Sequence, residues 1–296
     1  MSPVLPYQRR PTVPGTGTDG ILEVRSALDG AAHGAMTSWW VVTDLDGTLL
    51  DHTYDWQPAA ACLNRLRQLG IPVIPCTSKT AEEVRRFRLE AGLSDPFIVE
   101  NGGAVHGGPP EREWQLVLGR PSTELLAELA HLSAQLKLPL RALSDCSVTE
   151  VERLTGLRGH AARLAMDRQW STPFLPPPTE TWSALRKTAE ARGLQVVMGN
   201  RLAHLLARSS DKGLALAALR DRCGPPDLRV LGLGDSPNDI PMLQAVDVAV
   251  VVPGAHGPHP DLRGEVESGH WQLAPAPHAE GWARAVNGIL NLKPPG

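Results

Sequence analysis

Two acidic motifs, each placed directly after a short apolar run, constrain the fold of this chain more than any other feature. The motif DLDGT at 44–48 follows the run 39–43, and GDSPND at 234–239 follows the run 229–233. A short, continuously apolar run is typical of a strand that is buried on both faces. Ligands of open α/β sheets bind beyond the carboxyl ends of strands, so we expect the two motifs to converge on one site.

Strand and helix patterns alternate on either side of a central block. Helical patterns cover 58–69, 80–91, 212–223, 241–245 and 280–290, and strand patterns cover 39–43, 71–76, 97–99, 229–233 and 248–252. Strands that alternate with helices of about ten residues indicate a parallel sheet with crossover helices. The prediction is therefore an α/β fold, with a parallel-sheet, Rossmann-like core that carries helices on both faces.

The central block, residues 119–199, has a different pattern and is predicted to be an inserted α+β cap domain. Its helical patterns cover 122–137, 147–155, 159–168 and 180–192, with a Pro-rich loop at 176–178. The core then comprises residues 36–118 and 200–296. Residues 1–35 carry many Gly, Pro and polar residues without a sustained period, so they are predicted to be a poorly ordered extension.

Composition and charge exclude several classes of protein. The 29 basic and 32 acidic residues give a net charge of −3, which argues against a nucleic-acid partner. No apolar run approaches the roughly 20 residues of a membrane span, so no membrane partner is expected. The four cysteines form no CxxC pair, which favours reduced thiols in the cytoplasm over a zinc or disulfide scaffold. The sequence predicts no particular oligomeric state.

Four carboxylates in the two motifs carry the predicted chemistry. Asp44 and Asp46 both leave the end of a strand, and Asp235 and Asp239 are four residues apart around a turn. Clustered carboxylates repel one another, and a hard divalent cation such as Mg²⁺ removes that cost because it prefers oxygen ligands. One aspartate is then available as a nucleophile and another as an acid/base. A lone DxD is as often a solvated turn, but the two motifs together favour a site.

Three further segments are predicted at the same sheet edge, each with an alternative role. Thr77 and Ser78 open a helix and are expected to bind an anion, although this segment also fits a capping box with Glu83. Lys212 at a helix N-terminus opposes the helix dipole, which a bound phosphate would explain; the alternative is a solvated lysine. The segment ENGG at 100–103 is either a fourth loop of the site or a plain Asn-Gly hairpin turn.

These motifs together resemble those of the haloacid dehalogenase superfamily of phosphotransferases. The segment 44–48 is similar to the first motif of that superfamily, Thr77 to the second, Lys212 to the third and 234–239 to the fourth. An insertion between the second and third motifs is similar to its C2-capped branch. A narrower resemblance, over roughly residues 37–290, is to the mannosyl-3-phosphoglycerate phosphatases. It is carried by LLDHTYDW (49–56), TSKT (77–80), PFIVENG (96–102), LTGL (154–157) and DRQWSTPF (167–174), where Gln169 and Thr172 depart from the family pattern.

The resemblance implies a phosphomonoester hydrolase whose partner is a small phosphorylated glycosylglycerate. It implies that Asp44 is the nucleophile and Asp46 the acid/base. It also implies Mg²⁺ as the cofactor, held by Asp44, the Asp46 carbonyl and Asp235, with Asp239 orienting the site. The candidate phosphate-binding residues are Thr77, Ser78 and Lys212, and the candidate substrate-binding residues are Glu100, Asn101, Gly102, Thr149, Arg168, Ser171 and Asn238.

The cap residues are assigned from side-chain chemistry, and each has an alternative. The planar guanidinium of Arg168 suits a substrate carboxylate, but it could instead pair with Asp167 or Glu180 on the cap surface. Trp56 and Trp170 are candidates for stacking on a sugar, with packing in the core as the alternative.

Three functions remain open from the sequence. The first is a phosphatase acting on mannosyl- or glucosyl-3-phosphoglycerate, between which the sequence does not choose. The second is a phosphatase for another sugar phosphate, or a phosphomannomutase. The third is a non-catalytic sugar-phosphate-binding protein, against which the intact Asp44 and Asp46 argue because a binder needs neither nucleophile nor acid/base. Only the cap separates the first function from the second.

Overall fold

The computed structural model of this protein describes residues 38–292, and the predicted extension at 1–35 lies outside the described residues. The strands are β1 (Trp39–Thr43), β2 (Val73–Pro75), β3 (Phe97–Val99), β4 (Ala104–Gly107), β5 (Trp114–Val117), β6 (Thr172–Phe174), β7 (Leu194–Met198), β8 (Ala203–Ala207), β9 (Arg229–Gly234), β10 (Val248–Val251) and β11 (Gln272–Leu273). The α-helices are α1 (Ala60–Gln68), α2 (Ala81–Ala91), α3 (Ser122–Leu136), α4 (Val148–Thr155), α5 (His160–Met166), α6 (Trp182–Glu190), α7 (Lys212–Cys223), α8 (Ile240–Gln244), α9 (Pro260–Glu267) and α10 (His278–Ile289).

The core sheet has the strand order β11-β10-β9-β1-β2, and every pairing in it is parallel. Because β1 and β9 are neighbours in register, with Thr43 opposite Leu233, the loops that follow them leave the sheet side by side. The Asp44 N–H donates to the Leu233 carbonyl at 2.9 Å and fixes this arrangement. The predicted parallel core and the convergence of the two acidic motifs are confirmed.

Helices cover both faces of this sheet, as the continuously apolar strands predict. Successive residues of β1 point to opposite faces, so Val41 belongs to one apolar cluster while Trp40 and Val42 belong to the other. The first cluster includes Leu63 of α1 and Trp282 of α10, and the second includes residues of α7, α8 and α9. Burial on both faces leaves the carboxyl edge of the sheet as the place for polar side chains.

The strand β3 does not continue the parallel sheet in the way the sequence pattern predicts. It meets the end of β2 through a single bridge between Cys76 and Ile98, and it pairs antiparallel with β4, which pairs with β5. The segment 100–102 is the turn between β3 and β4, so the hairpin alternative holds for its backbone. Gly102 has φ +90°, and a Cβ there would clash with the Asp211 carbonyl, which explains the glycine.

The inserted block forms a separate antiparallel sheet with the order β6-β8-β7. Apolar residues of α3 and α6 pack on it, around Phe174 and Leu205. A smaller apolar cluster lies between α4 and α5. The predicted α+β character is confirmed, but the predicted boundary at residue 199 is wrong, because β8 is the central strand of the inserted sheet and runs to Ala207.

Across residues 38–292, no helix combines the length and the apolar character that crossing a membrane requires.

Candidate active site

A buried lysine joins two of the predicted aspartates at the edge of the core sheet. Lys212 begins α7, and its Nζ lies 2.6 Å from Asp44 Oδ1 and 2.5 Å from Asp239 Oδ1. It is fully buried, which excludes the alternative of a solvated lysine. Burial lowers the pKa of this amine, but the attraction of Asp239 and Asp44 outweighs burial and raises the pKa overall. Lys212 therefore stays charged and neutralises part of the carboxylate cluster.

Asp44 is a buried carboxylate whose side chain pairs with Lys212. Burial raises the pKa of Asp44 to about 7, against the opposing attraction of Lys212 and with repulsion from Asp239 and Asp46. A carboxylate in this position is costly to ionise beside so few positive groups. Further positive charge next to Lys212 would therefore stabilise the ionised form.

The GDSPND motif at 234–239 supplies further carboxylates that could hold a cation beside Asp44. Oxygens of Asp44, Asp235 and Asp239 all lie within 4.8 Å of one another. Asp235 Oδ1 accepts a hydrogen bond from Thr48 Oγ1 at 2.9 Å, and burial raises its pKa well above the usual range. Asp239 Oδ2 accepts from the Asp235 N–H at 3.0 Å, so this carboxylate is anchored within its own loop. The donor set is made of hard oxygens, and it fits a divalent cation such as Mg²⁺.

Asp46 lies beside this cluster with one oxygen engaged and one free. Its Oδ2 is 2.9 Å from Lys79 Nζ, whereas its Oδ1 is buried without a hydrogen-bond partner among residues 38–292. Its main-chain carbonyl accepts a hydrogen bond from Asn200 Nδ2 at 2.7 Å. Lys79 is itself 3.6 Å from Glu83. Burial lowers the pKa of Lys79, but the attraction of Asp46 and Glu83 outweighs burial and raises the pKa overall. The lysine therefore stays charged.

The segment after β2 forms the capping box that the sequence offered as the alternative, and one of its residues also lines the cavity. The capping box is present: Thr80 N donates to Glu83 Oε2 at 2.9 Å, and Glu83 N donates to Thr80 Oγ1 at 3.4 Å. Thr77 is fully buried, with Oγ1 accepting from Lys79 N at 3.3 Å. Ser78 lines the cavity above the aspartates. The same turn thus starts α2 and presents polar groups to the site.

A cavity of about 300 Å³ lies between the core and the inserted unit, with the aspartates at its base. Residues of both units form its walls, so a ligand there would touch the core and the cap together. The core contributes Asp44, Asp46, Tyr54, Ser78, Lys79, Asp235, Asn238 and His278, and the cap contributes Thr155, Arg168, Asn200, Arg201 and His204, among others.

Arg168 reaches from the cap to the segment that follows β2. Its Nε donates to the Ala165 carbonyl at 2.7 Å, and its Nη1 donates to the Ser78 carbonyl. The alternative ion pair with Asp167 or Glu180 is not formed in the described part of the chain. The guanidinium has five N–H groups, so donors remain for a ligand in the cavity.

Glu100 and Ser171 come together, but not in the cavity. The Glu100 carboxylate accepts from the Gln169 N–H at 2.9 Å, the Trp170 N–H at 3.0 Å and the Ser171 hydroxyl at 2.6 Å. This buried carboxylate holds a cap segment against the core, which leaves neither residue free for the predicted substrate contact. The prediction that these two residues bind substrate is therefore wrong for this arrangement, because the Ser171 hydroxyl and two backbone N–H groups already occupy the Glu100 carboxylate.

Asn101 and Asn238 also pair, with Asn238 Nδ2 donating to Asn101 Oδ1 at 2.9 Å. Asn238 lines the cavity, whereas Asn101 and Gly102 do not. The structure places Thr149 on the exposed side of α4, away from the cavity, so a substrate contact there is excluded in this arrangement.

The two tryptophans proposed for sugar stacking have the alternative role. Trp56 packs edge-on against Phe87 with ring centroids 6.4 Å apart, and Trp170 packs against the backbone of Gly103. Neither ring lines the cavity. The apolar area of both side chains is therefore spent on packing.

Several residues of the site went unpredicted. Lys79 stood inside the TSKT motif and carried a signal, since a lysine so close to a carboxylate motif suggests an ion pair. Asn200 and His204 lie in and after the turn between β7 and β8, and no pattern in the sequence marks them. His278 begins α10 with φ 50°, and its Nδ1–H donates to the Gly47 carbonyl at 3.0 Å.

Comparison with known proteins gives this geometry a family. Residues 41–148 and 182–257 match the family model described as haloacid dehalogenase-like hydrolase. The glucosyl-3-phosphoglycerate/mannosyl-3-phosphoglycerate phosphatase of Persephonella marina (strain DSM 14350 / EX-H1) is 33% identical over 269 residues, which cover 85% of this chain and 97% of that relative.

Solved structures share the fold at lower identity. A haloacid dehalogenase-like hydrolase from B. subtilis is similar with a TM-score of 0.64 and 18% identity, covering 87% of this chain and 100% of that one. The sucrose-phosphatase from Synechocystis sp. PCC6803, solved with sucrose and phosphate, has a TM-score of 0.55 and 17% identity, covering 86% of this chain and 98% of that one. From the match over most of its length, this chain belongs to the haloacid dehalogenase-like hydrolases, and it is an enzyme of the phosphatase type.

Proposed function

We propose that this enzyme removes phosphate from a glycosyl-3-phosphoglycerate and releases the glycosylglycerate. The observation that carries the proposal is the shared cavity, which Arg168 from the cap and Asp44 from the core both line, with Arg168 bonded to the Ser78 carbonyl. A substrate with a carboxylate near its phosphate would meet a cation for each group. The 33% identity to a phosphatase named for such substrates supports the same assignment.

In the first step, an Asp44 carboxylate oxygen attacks phosphorus and forms an aspartyl-phosphate. The bond between phosphorus and the glycerate oxygen breaks, and Asp46 donates a proton to that leaving oxygen. The unpartnered Asp46 Oδ1 supports this role, because a carboxyl oxygen without a protein partner is free to bind the leaving group. Lys79 holds the other oxygen and fixes the direction of the carboxyl.

In the second step, water attacks the phosphorus of the aspartyl-phosphate. Asp46 accepts a proton from that water, the bond from phosphorus to Asp44 breaks, and inorganic phosphate leaves. Both steps then return Asp44 and Asp46 to their starting forms. A cap that closes over the cavity excludes bulk water, so that only the reacting water molecule reaches the phosphorus.

Positive groups around Asp44 would stabilise the transferring phosphoryl group. We assign phosphate binding to Lys212, whose third N–H is not used by Asp44 or Asp239, and to Thr77 and Ser78 after β2. Asp44, the Asp46 carbonyl and Asp235 would hold Mg²⁺, with Asp239 orienting them. When bound, Mg²⁺ supplies charge neutralisation at the phosphoryl oxygens.

A panel of phosphate esters assayed with Mg²⁺ tests the proposal. It should contain glucosyl-3-phosphoglycerate, mannosyl-3-phosphoglycerate, 3-phosphoglycerate, mannose 6-phosphate, mannose 1-phosphate and p-nitrophenyl phosphate. We expect the highest kcat/KM for one of the two glycosylated phosphoglycerates. A higher kcat/KM for a simple sugar phosphate, or conversion of mannose 1-phosphate to mannose 6-phosphate, would replace the proposal by one of the alternatives.

A further inference from the structure

The side chain of His204 lines the cavity but has no role in the reaction proposed above. His204 is the second residue of β8, whose other residues are apolar, and its side chain is only 4% exposed. Its strand is central in the cap sheet, where it pairs with Pro173 of β6 and Val197 of β7. A histidine fixed on both sides by backbone pairing has little freedom to move, and it lines the cavity from the cap side.

Within the part of the chain that the structure describes, one nitrogen of this imidazole has no hydrogen-bond partner. His204 Nδ1 is buried without a hydrogen-bond partner within residues 38–292. His204 Nε2 faces the turn after β7, where a Cβ on Gly199 would come within 3.4 Å of it. Buried polar groups in proteins are nearly always paired, because leaving one unpaired forfeits its hydration without return. Such an exception in the wall of a ligand cavity points to a partner that the protein itself does not supply.

The surroundings of His204 keep the ring neutral. Burial lowers its pKa to about 3, and the neighbouring charges of Arg168 and Lys212 act in the same direction. A neutral imidazole has one nitrogen that donates and one that accepts. A carboxylate can only accept, so it satisfies just one of them, whereas a hydroxyl can serve either nitrogen.

We propose that His204 is a specificity-determining residue that hydrogen-bonds a hydroxyl of the sugar carried by the substrate. The assignment rests on the proposed function and adds the group that the cap recognises. Arg168 offers positive charge for the carboxylate, and His204 offers uncharged donor and acceptor atoms for the sugar. The turn beside His204 also carries Asn200, which contacts the Asp46 carbonyl, so the sugar site and the catalytic loop adjoin.

The test is His204→Leu, which keeps an apolar volume and removes both nitrogens. We expect KM for glucosyl-3-phosphoglycerate to rise about 3- to 10-fold, the worth of one hydrogen bond between uncharged groups. KM for 3-phosphoglycerate and for p-nitrophenyl phosphate should stay unchanged, because neither carries a sugar. The thermal midpoint should stay equal or rise, since the variant removes an unpaired buried polar group. His204→Gln, which keeps a donor and an acceptor, should recover part of the lost affinity.

The outcomes separate this assignment from the proposed function. A native enzyme that shows no preference for glycosylated phosphoglycerates overturns both. A native enzyme with that preference, whose His204→Leu variant retains it in full, overturns only the role of His204. An equal rise in KM for all three esters also overturns it, because the residue would then support the phosphate site. If the Leu variant fails to fold, the Gln variant decides. A KM that rises for glucosyl-3-phosphoglycerate alone supports the assignment, whereas an unchanged KM for every ester, or a uniform rise, contradicts it.

Discussion

The floor of the cavity, formed by the core, and its cap wall differ in how far their polar groups are already paired. In the core, Lys212 joins Asp44 to Asp239, and Lys79 holds Asp46. In the cap wall, Arg168 uses two of its donors on main-chain carbonyls and His204 Nδ1 has no partner in the described chain. Each charged group named in the core is therefore fixed by at least one ion pair, although Asp46 Oδ1 stays free, whereas His204 in the cap wall has no charged partner within residues 38–292.

This difference separates two kinds of substitution. Pre-organised charges act on the phosphoryl group, which every phosphate ester shares, so core substitutions should affect all esters. Donors in the cap act on the rest of the substrate, so their loss should depend on which ester is offered. The predictions below test that division, from the largest effect to the smallest.

Asp44→Asn should reduce turnover of every ester below detection, because it removes the nucleophile while keeping the shape of the side chain. Steady-state phosphate release is the measurement, and the thermal midpoint is the control for folding. Exposed Asp55→Asn on the following loop is a matched control that should retain full activity. Substantial turnover by the Asp44 variant would show that another group attacks phosphorus.

Chelation should also affect every ester, and it should change stability with pH. Exhaustive EDTA should abolish activity, and Mg²⁺ should restore it.

Burial raises the pKa of Asp44 from 3.8 to about 7, so the metal-free fold favours the protonated form more than the unfolded chain does. Its contribution to the free energy of unfolding should therefore be lost as the pH rises between these two values. The measurement is the thermal midpoint at pH 5 and at pH 8, first with EDTA and then with Mg²⁺. In EDTA we expect the lower midpoint at pH 8, and a midpoint that is higher at pH 8 than at pH 5 would contradict the prediction.

Asp46→Asn should slow hydrolysis of an alkyl phosphate by about 10²- to 10⁴-fold, the usual worth of general acid catalysis. The loss should be smaller for p-nitrophenyl phosphate, whose leaving group needs little protonation. The ratio of the two losses is the measurement. Equal losses for both esters would assign Asp46 a structural role beside Lys79.

Arg168→Ala should raise KM for a glycosyl-3-phosphoglycerate by about 10- to 150-fold, which corresponds to about 1.5–3 kcal/mol for a hydrogen bond to a charged group. It should leave p-nitrophenyl phosphate nearly unchanged. Arg141→Ala is the matched control, because Arg141 is an exposed cap arginine paired with Glu150 at 2.9 Å. An equal loss on both esters would mean that Arg168 supports the phosphate segment through Ser78.

Asn200→Ala should have the smallest effect of these substitutions. It concerns a cap residue that contacts the core. Asn200 belongs to the cap but donates to the Asp46 carbonyl, so its loss should lower kcat/KM about 2- to 10-fold for every ester. Thr149→Ala, exposed on the cap and outside the cavity, should have no effect. A loss confined to the glycosylated esters would place Asn200 with the residues that contact the sugar.

The same division explains what could be predicted from the sequence. The β1 and β9 strands are continuously apolar and end in motifs, so both the parallel core and the meeting of Asp44 with Asp235 and Asp239 followed from local patterns and strand-end geometry. Lys79 was within reach of the same reasoning. The hairpin of β4 and β5 was not predicted, because its pattern is short and is interrupted by Gly and Pro residues.

The cap resisted prediction for a physical reason. Arg168 was predicted from its family-like segment, but Asn200 and His204 are placed in the cavity wall by the antiparallel pairing of β7 and β8, which no local motif encodes. Glu100 and Ser171 were recognised from family-like segments, yet tertiary contact joins them to each other. Residues fixed by one strand end can be predicted from spacing, whereas residues joined by long-range packing cannot.

The most direct test of this account is the ratio of kcat/KM for glucosyl-3-phosphoglycerate to kcat/KM for p-nitrophenyl phosphate. It should be measured in the native enzyme and in the double variant Arg168→Ala, His204→Leu. We predict that the ratio falls at least about 10-fold, the lower limit for loss of one charged hydrogen bond, while p-nitrophenyl phosphate hydrolysis stays nearly constant. An unchanged ratio, with both esters lost or both retained, would contradict the division between a catalytic core and a recognising cap.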